Sequence, residues 1–353
     1  MLNKKTVAVA MSGGVDSSLT AKLLLDQGYQ VVGLTLKLWG APVDENGLSI
    51  AEKDAQKVAQ ILKIPHHIID CQEYFYDKVV QNFFDEYKHA RTPNPCVLCN
   101  KLIKFGMLFQ EAQKLGAEYF ATGHYVQKYI DPITNLHYLC TAANLAKDQT
   151  YVLYNLTQEQ LQKCIFPLGV YTKDEVRKLS QEANLPVFNK PDSQEICFIP
   201  NDDYRSFLAQ NSNIKSIPGD FINTNGEVIG KHQGLTNYTI GQRKGFNIGF
   251  GKKMYVVELR PETNQVVLGD NNEVFASQLQ AKEVVFSDNR NRFTEYNLLV
   301  KIRYNAKPAP ALVKVNNNLA TVLFETPQRA ITAGQSVVFY ENNLLIGGGI
   351  IQW

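Results

Sequence analysis

Two groups of residues in this chain could do chemistry. The first is Ser12-Gly13-Gly14-Val15-Asp16-Ser17-Ser18, which directly follows the apolar run Thr6 to Ala10. Paired glycines let the backbone turn with positive φ and approach a ligand closely. A helix starting just after them presents unpaired N–H groups and the positive end of its dipole, which suits an anion. Ser12, Ser17 and Ser18 offer hydroxyl donors for phosphate oxygens, and Asp16 could hold Mg²⁺ against them.

The second group is Cys96-x-x-Cys99 together with Cys197. A C-x-x-C pair points to redox or metal chemistry. Neither a second C-x-x-C nor an H-x-x-x-H follows, so a closed zinc site is poorly supported. Two readings stay open. The three thiols could hold three corners of a [4Fe–4S] cluster with one iron open. Equally, Cys99 could be a nucleophile and Cys197 a persulfide carrier. Two prolines in Arg91-Thr-Pro-Asn-Pro-Cys-Val-Leu-Cys-Asn100 argue for a rigid loop feeding a helix that begins near Asn100. Cys99 would then stand at a helix N-terminus, where the dipole favours thiolate. Cys71, Cys140 and Cys164 lie in apolar contexts and read as packing residues.

The glycine loop is neither a Walker A loop, since no lysine closes it, nor a dinucleotide G-x-G-x-x-G. SGGVDSS resembles the pyrophosphate loop of ATP pyrophosphatases, which adenylate an oxygen and release pyrophosphate.

The elements that must position these residues are legible as patterns. Gln30 to Leu36 is a near-continuous apolar run, as in a strand buried on both faces of a parallel sheet. Ser49 with Glu52 forms a capping box for a helix through Leu62, and Thr172 with Glu175 forms another. His67 to Asp70 and Glu118 to Thr122 read as strands, and Tyr74 to His89 as a helix. A hairpin turns at Asp131 to Asn135. Alternating strands and helices predict a doubly wound α/β domain over 1–205, with ligands at the C-terminal edge of its sheet near Gly123-His124-Tyr125. From about Pro218 short strands and glycine turns predict a small β-rich middle domain, 206–278, rimmed by Arg243, Lys244, Lys252 and Lys253. From about Ala281 alternating strands predict a C-terminal β-barrel, 279–353.

Composition sets the outer limits. The chain has 353 residues, 44% apolar and 20% charged, as expected of a soluble globular protein of two or three domains. It has no apolar run of about 18 residues and no room for a signal peptide ahead of Thr6. Six cysteines in this length are not a disulfide scaffold, which predicts a reducing cytoplasm. A net charge of +2 leaves the question of a nucleic-acid partner to local clusters.

In order along nearly the whole chain, SGGVDSS, RTPNPCVLCN, ATGHY (121–125), KDQTY (147–151), DSQEICFI (192–199), IGQRKG (240–245), Arg303-Tyr304 and GQSVVFY…GGGII resemble the bacterial tRNA 2-thiouridylases. That resemblance implies replacement of the C2 oxygen of the wobble uridine by sulfur in tRNAs for glutamate, glutamine and lysine. ATP would be split to AMP and pyrophosphate, with sulfur supplied by a cysteine desulfurase, often through carrier proteins. By position, Ala10, Met11, Ser12, Gly13, Gly14, Val15, Asp16 and Ser17 would hold the ATP phosphates, with Leu36 on the adenine and Gly123 lining the pocket. Asn94, Pro95 and Cys96 would meet the target base. Cys99 would be the nucleophile and Cys197 the persulfide, passing through a transient disulfide. His124, Lys147, Asp148, Gln149, Arg303, Tyr304 and Gln335 match tRNA-contacting positions, and the default assembly is a monomer on one tRNA. Several members carry Asp where this chain has Cys96, and the extra thiol keeps the cluster-dependent variant open.

Two rival functions remain on the sequence. An amidating ATP pyrophosphatase explains the loop but neither the thiols nor the β-rich tail. A non-enzymatic RNA-binding or iron–sulfur sensor protein with a relic loop leaves the intact Asp16 and both outer cysteines unexplained.

Overall fold

The computed structural model describes residues 4–191, 196–246, 251–288 and 290–352. Its first sheet has five parallel strands in the order β3-β2-β1-β4-β7, with β1 at Thr6–Ala10, β2 at Gln30–Lys37 and β3 at His66–Asp70. Strands β4 and β7 are Tyr119–Ala121 and Cys164–Ile165. Strand β1 is central, paired with β2 on one side and β4 on the other. The strand order reverses between β1 and β4, so the crevice beyond their C-terminal ends is where an open α/β sheet takes its ligand. The segments following these two strands are the glycine loop and Thr122-Gly123-His124.

Helix α1 (Val15–Asp26) follows the loop, and α2 (Ile50–Leu62) starts at the predicted capping box, with Glu52 Oε2 accepting from the Ser49 N–H. Helix α3 spans 72–88 and α4 spans 95–114, each with a π-wound stretch in its middle, Tyr76–Val80 and Asn100–Leu108. Phe75, Phe83 and Tyr87 of α3 are buried with Phe198 and Phe207 beside Cys71 and Cys99, so these aromatics are core. Helix α5 is Gln158–Lys163, α6 is Lys173–Glu182 with its predicted Thr172 cap, and α7 is Tyr204–Asn211.

The hairpin β5 (Gln127–Ile130) and β6 (His137–Cys140) leaves the α/β sheet and joins the C-terminal one. The middle unit is a four-stranded sheet, β10-β11-β8-β9, from β8 (Gly219–Asn223), β9 (Val228–His232), β10 (Tyr255–Arg260) and β11 (Gln265–Gly269). The C-terminal strands are β12 (Phe275–Phe286), β13 (Glu295–Lys301), β14 (Ala309–Asn316), β15 (Leu319–Arg329), β16 (Ser336–Glu341) and β17 (Leu344–Gln352). They run β12-β15-β14-β13-β16-β17, and β12 pairs back onto β17 to close a six-stranded barrel, as expected. Strand β12 begins at Phe275, earlier than Ala281, because its first turn of sequence is polar and mostly faces outward, hiding the alternation. Strand β6 pairs with β17 through Cys140↔Leu344 and Leu139↔Leu345. One apolar core accordingly runs from Ala8 and Phe120 through Tyr151 and Tyr154 to Val338, Tyr340 and Leu345, joining the α/β unit to the barrel. No described helix is long and apolar enough to cross a membrane.

Candidate active site

The glycine loop is held from below and open above. Met11 donates its N–H to Leu34 O at 2.7 Å, and the Thr35 hydroxyl donates to Met11 O at 2.7 Å, fixing the loop to β2. Gly13 has φ of +70°, and a Cβ there would lie 2.3 Å from Ala51 O, so only glycine fits. Gly14 is the N-cap of α1 and offers no side-chain cap, which leaves the first-turn amides for a ligand. Ser17 Oγ accepts from Ser12 N at 3.1 Å and stands 3.3 Å from Ser12 Oγ. Ser18 differs from expectation. Fully buried, it donates to Gly14 O at 2.8 Å, so it shapes the turn and does not face a phosphate.

Asp16 also departs from expectation. Its carboxylate accepts from the Tyr125 hydroxyl at 2.6 Å and from the Lys173 ammonium at 2.7 and 2.8 Å. Both oxygens are engaged, so this donor set does not fit Mg²⁺ as it stands. Gly123 is pressed against α1: a Cβ there would come within 2.9 Å of Asp16 C and Ser17 N. Ala10 and Leu36 are half-buried at the sheet edge, and Val15 is buried.

The cysteine helix begins earlier than predicted. Asn94 caps it, its Oδ1 accepting from Val97 N at 3.4 Å, and Pro95 occupies the first helical position. There its fixed φ suits the helix and its missing N–H costs nothing. Cys99 consequently sits in the second turn, buried in the core, beyond the reach of the terminal dipole. Burial pushes its thiol up to about 12, the opposite of the predicted thiolate, with the Lys104 ammonium pulling back. Cys96 and Cys197 are exposed. Surrounding protein also raises their thiols, Cys96 adding to the rise at Cys197 and Lys104 opposing it at both. Cys96, Cys99 and Cys197 lie within electrostatic reach of Lys104, and Cys197 of both other thiols. All six cysteines are free, and Cys71, Cys140 and Cys164 are buried packing residues, as read from the sequence. Among the described residues no three His, Cys, Asp or Glu side chains form a metal-binding set. As they stand in this structure the three thiols do not form such a set.

Several residues expected on the RNA-facing rim are braces. His124 is 8% exposed, its Nδ1 2.8 Å from Thr122 Oγ1, and burial with Lys104 nearby holds it neutral. Asp148 is buried, accepting from Ala142 N at 3.0 Å and from the Thr150 hydroxyl at 2.6 Å. Gln149 accepts from Tyr125 N at 2.9 Å. Arg303 spends its guanidinium on the carbonyls of Arg329 and Ala330. Gln335 donates to the carbonyls of Thr92 and Pro93 ahead of α4. Lys147 is half-buried, whereas Tyr304 stays open to solvent, within electrostatic reach of Cys96 and Asp148.

Lys104, Lys173, Lys190 and Lys301 were missed. Lys104 had a local signal, being eight residues beyond Cys96 and so near its helical face. Lys190 donates to Gly13 O at 3.0 Å and to Asp54 at 2.6 Å, and Lys301 lies 5.9 Å from the Tyr151 ring centre. No local signal in the sequence pairs them with these partners. The buried Asn100 Oδ1 has no hydrogen-bond partner among the described residues, leaving an acceptor beside Cys99.

Three family models match successive stretches of the chain. Residues 5–201 match the family described as tRNA methyl transferase HUP domain, 205–270 its PRC-barrel domain, and 276–351 the aminomethyltransferase beta-barrel domain. The chain is 47% identical over 360 residues to the tRNA-specific 2-thiouridylase MnmA of Carboxydothermus hydrogenoformans, covering 100% of this chain and 99% of that one. It is 47% identical to MnmA 1 of Caldanaerobacter subterraneus subsp. tengcongensis, covering 98% and 97%. It is 44% identical to MnmA of Clostridioides difficile, covering 100% and 99%.

Proposed function

The chain belongs to the tRNA-specific 2-thiouridylase family, and we propose that it is a tRNA sulfurtransferase converting the wobble uridine of tRNA to 2-thiouridine. The observation that supports the reading is an uncapped anion loop at the sheet's switch point in the same α/β unit as Cys96, Cys99 and Cys197, three thiols that share Lys104.

The C2 oxygen of uridine is a poor leaving group. Attack of that oxygen on the α-phosphate of ATP expels pyrophosphate and makes AMP the leaving group. The loop amides of Ser12 to Asp16 would stabilise the charge developing on pyrophosphate, with Ala10, Met11 and Leu36 around the nucleoside. A persulfide on Cys197, loaded by a cysteine desulfurase directly or through carrier proteins, then attacks C2. The C2–S bond forms, and the C2–O bond breaks with AMP. Cys99 as thiolate attacks Cys197 Sγ, so the S–S bond to the transferred sulfur breaks and a Cys99–Cys197 disulfide forms. A thiol reductant returns both to thiols. Because burial keeps Cys99 protonated, its proton must leave when substrate arrives, and Lys104 is the nearby cation that favours this. Asn94, Pro95 and Cys96 flank the position of a flipped base, since a base in an anticodon loop must turn outward to be reached. Glutamate, glutamine and lysine tRNAs are the proposed acceptors, a cytoplasmic monomer the acting form, and Mg²⁺ would arrive with the ATP.

The test is thiolation of unmodified glutamate tRNA by full-length protein with ATP·Mg²⁺, a desulfurase and cysteine, read in a mercury gel. Wild type and Cys96→Asp should thiolate without added iron, while Cys99→Ser and Cys197→Ser give no product. Undiminished product from Cys99→Ser would sink its role.

A further inference from the structure

The glycine loop carries no cation of its own, and between Met11 and Ser18 its one charged residue is Asp16. A triphosphate brought to this loop needs more positive charge than the partial charge at the α1 N-terminus supplies. The structure delivers two lysines from far along the chain, one at the start of helix α6 and one in the turns after it. Lys173, its first residue, places its ammonium on the two oxygens of Asp16 and is only 11% exposed. Lys190, beyond its C-terminal end, bridges the Gly13 carbonyl within the turn and the Asp54 carboxylate of α2. Helix α6 packs along α1, which sets Lys173 beside the loop, while Lys190 reaches it from the turns that follow α6.

We propose that Lys173 and Lys190 are the triphosphate-binding cations of this site, together taking the part that a lysine within the loop takes in other phosphate-binding loops. The proposal rests on the reading of the loop as an ATP site. Without nucleotide, Asp16 and Asp54 hold the two ammonium groups at the loop. Each ammonium has three donors, two of them spent on the contacts named for Lys190. A polyphosphate arriving at the loop competes with the carboxylates for these donors, and its higher charge wins them. Lys173 and Lys190 then lie on the β- and γ-phosphate side. The same switch frees the Asp16 carboxylate that Lys173 now occupies.

A purely structural role is the alternative, and the ion pairs distinguish the two. The Lys190–Asp54 pair is about one-third exposed on both sides, a class of pair that contributes little to folding. The experiment is calorimetric titration of the full-length chain with ATP, pyrophosphate and AMP, without tRNA, for wild type, Lys190→Gln, Lys173→Gln and Asp54→Asn. Lys190→Gln and Lys173→Gln should each weaken ATP and pyrophosphate binding about 10- to 100-fold, the loss of one charge-assisted contact, and leave AMP within about twofold. Asp54→Asn breaks the same ion pair but liberates Lys190, so its ATP affinity should hold or rise. Parallel loss of AMP and ATP binding, or a loss in Asp54→Asn equal to that in Lys190→Gln, would overturn the proposal in favour of a structural brace. Wild-type protein that binds neither ATP nor AMP would instead overturn the nucleotide site itself.

Discussion

Gln335, in the loop leading into the last hairpin of the barrel, donates its Nε2 hydrogens to the carbonyl oxygens of Thr92 and Pro93 at 3.1 and 2.9 Å. The Thr92 N–H returns a bond to Ala333 O at 2.9 Å, so loop 91–94 is clamped by the barrel just ahead of the cysteine helix. The barrel thereby fastens the segment immediately before Asn94 and Cys96.

Gln335→Ala removes two hydrogen bonds from this clamp, a loss of about 1–2 kcal/mol in loop positioning. The expected outcome is a fall in the thiolation rate of about tenfold, with ATP affinity unchanged. Steady-state kinetics with tRNA as the varied substrate checks it. A rate equal to wild type would show that the clamp does not set α4.

Gly123 admits no side chain. The added methyl of Gly123→Ala would lie 2.9 Å from backbone atoms of Asp16 and Ser17, and backbone cannot rotate away as a flexible side chain would. Overpacking of this kind costs about 1–3 kcal/mol. The first turn of α1 should shift, weakening ATP binding about tenfold while the barrel stays intact. Calorimetry and a thermal melt together separate local from global damage.

Lys104 is a cation within electrostatic reach of all three thiols, and its loss should be visible in their reactivity. Cys99 titrates near 12 in place of the ordinary 9, so between these values the native chain keeps a proton that the unfolded chain has lost. By linkage this part of the stability is complete below pH 9 and declines as pH rises toward 12. At pH 8 the exposed Cys96 and Cys197 should be alkylated by iodoacetamide at least about tenfold faster than buried Cys99. Lys104→Met should slow alkylation at Cys197 several-fold and move the thiolation profile to higher pH. Peptide mass spectrometry over pH 7–10 reads both effects, and unchanged rates would remove Lys104 from the thiol chemistry.

What the sequence made legible was local. The SGGVDSS turn and both capping boxes carry their signal within a few residues and formed where expected, and the alternation announced the barrel though not the start of its first strand. The start of α4 was misplaced because proline reads as a helix breaker unless the first helical position is recognised, and Asn94 just before it was the available cue. The thiolate expectation for Cys99 failed for the same reason, compounded by burial under α3 and α7 aromatics that no local pattern announces. Asp148, Gln149, Gln335 and Arg303 resembled RNA contacts by position but bond within the protein. The partners of Lys173 and Lys190 lie 157 and 177 residues away, so these pairings became visible only in the fold.

Tyr304 presents a partly exposed ring within electrostatic reach of Cys96. It is 38% exposed, meets Tyr151 edge-on at 6.2 Å, and has the Lys301 ammonium 5.7 Å from its centroid. Burial, Asp148 and Cys96 raise its hydroxyl, so it stays neutral, and its exposed ring would offer a flat surface to a base. Base stacking on an aromatic ring contributes about 1–3 kcal/mol. Tyr304→Ala should therefore raise the KM for tRNA roughly tenfold or more and leave ATP binding alone, while Tyr304→Phe keeps the ring and most of the affinity. A hydroxyl-mediated contact predicts the reverse, with Tyr304→Phe as damaged as Tyr304→Ala, and tRNA titrations of the two variants decide between them.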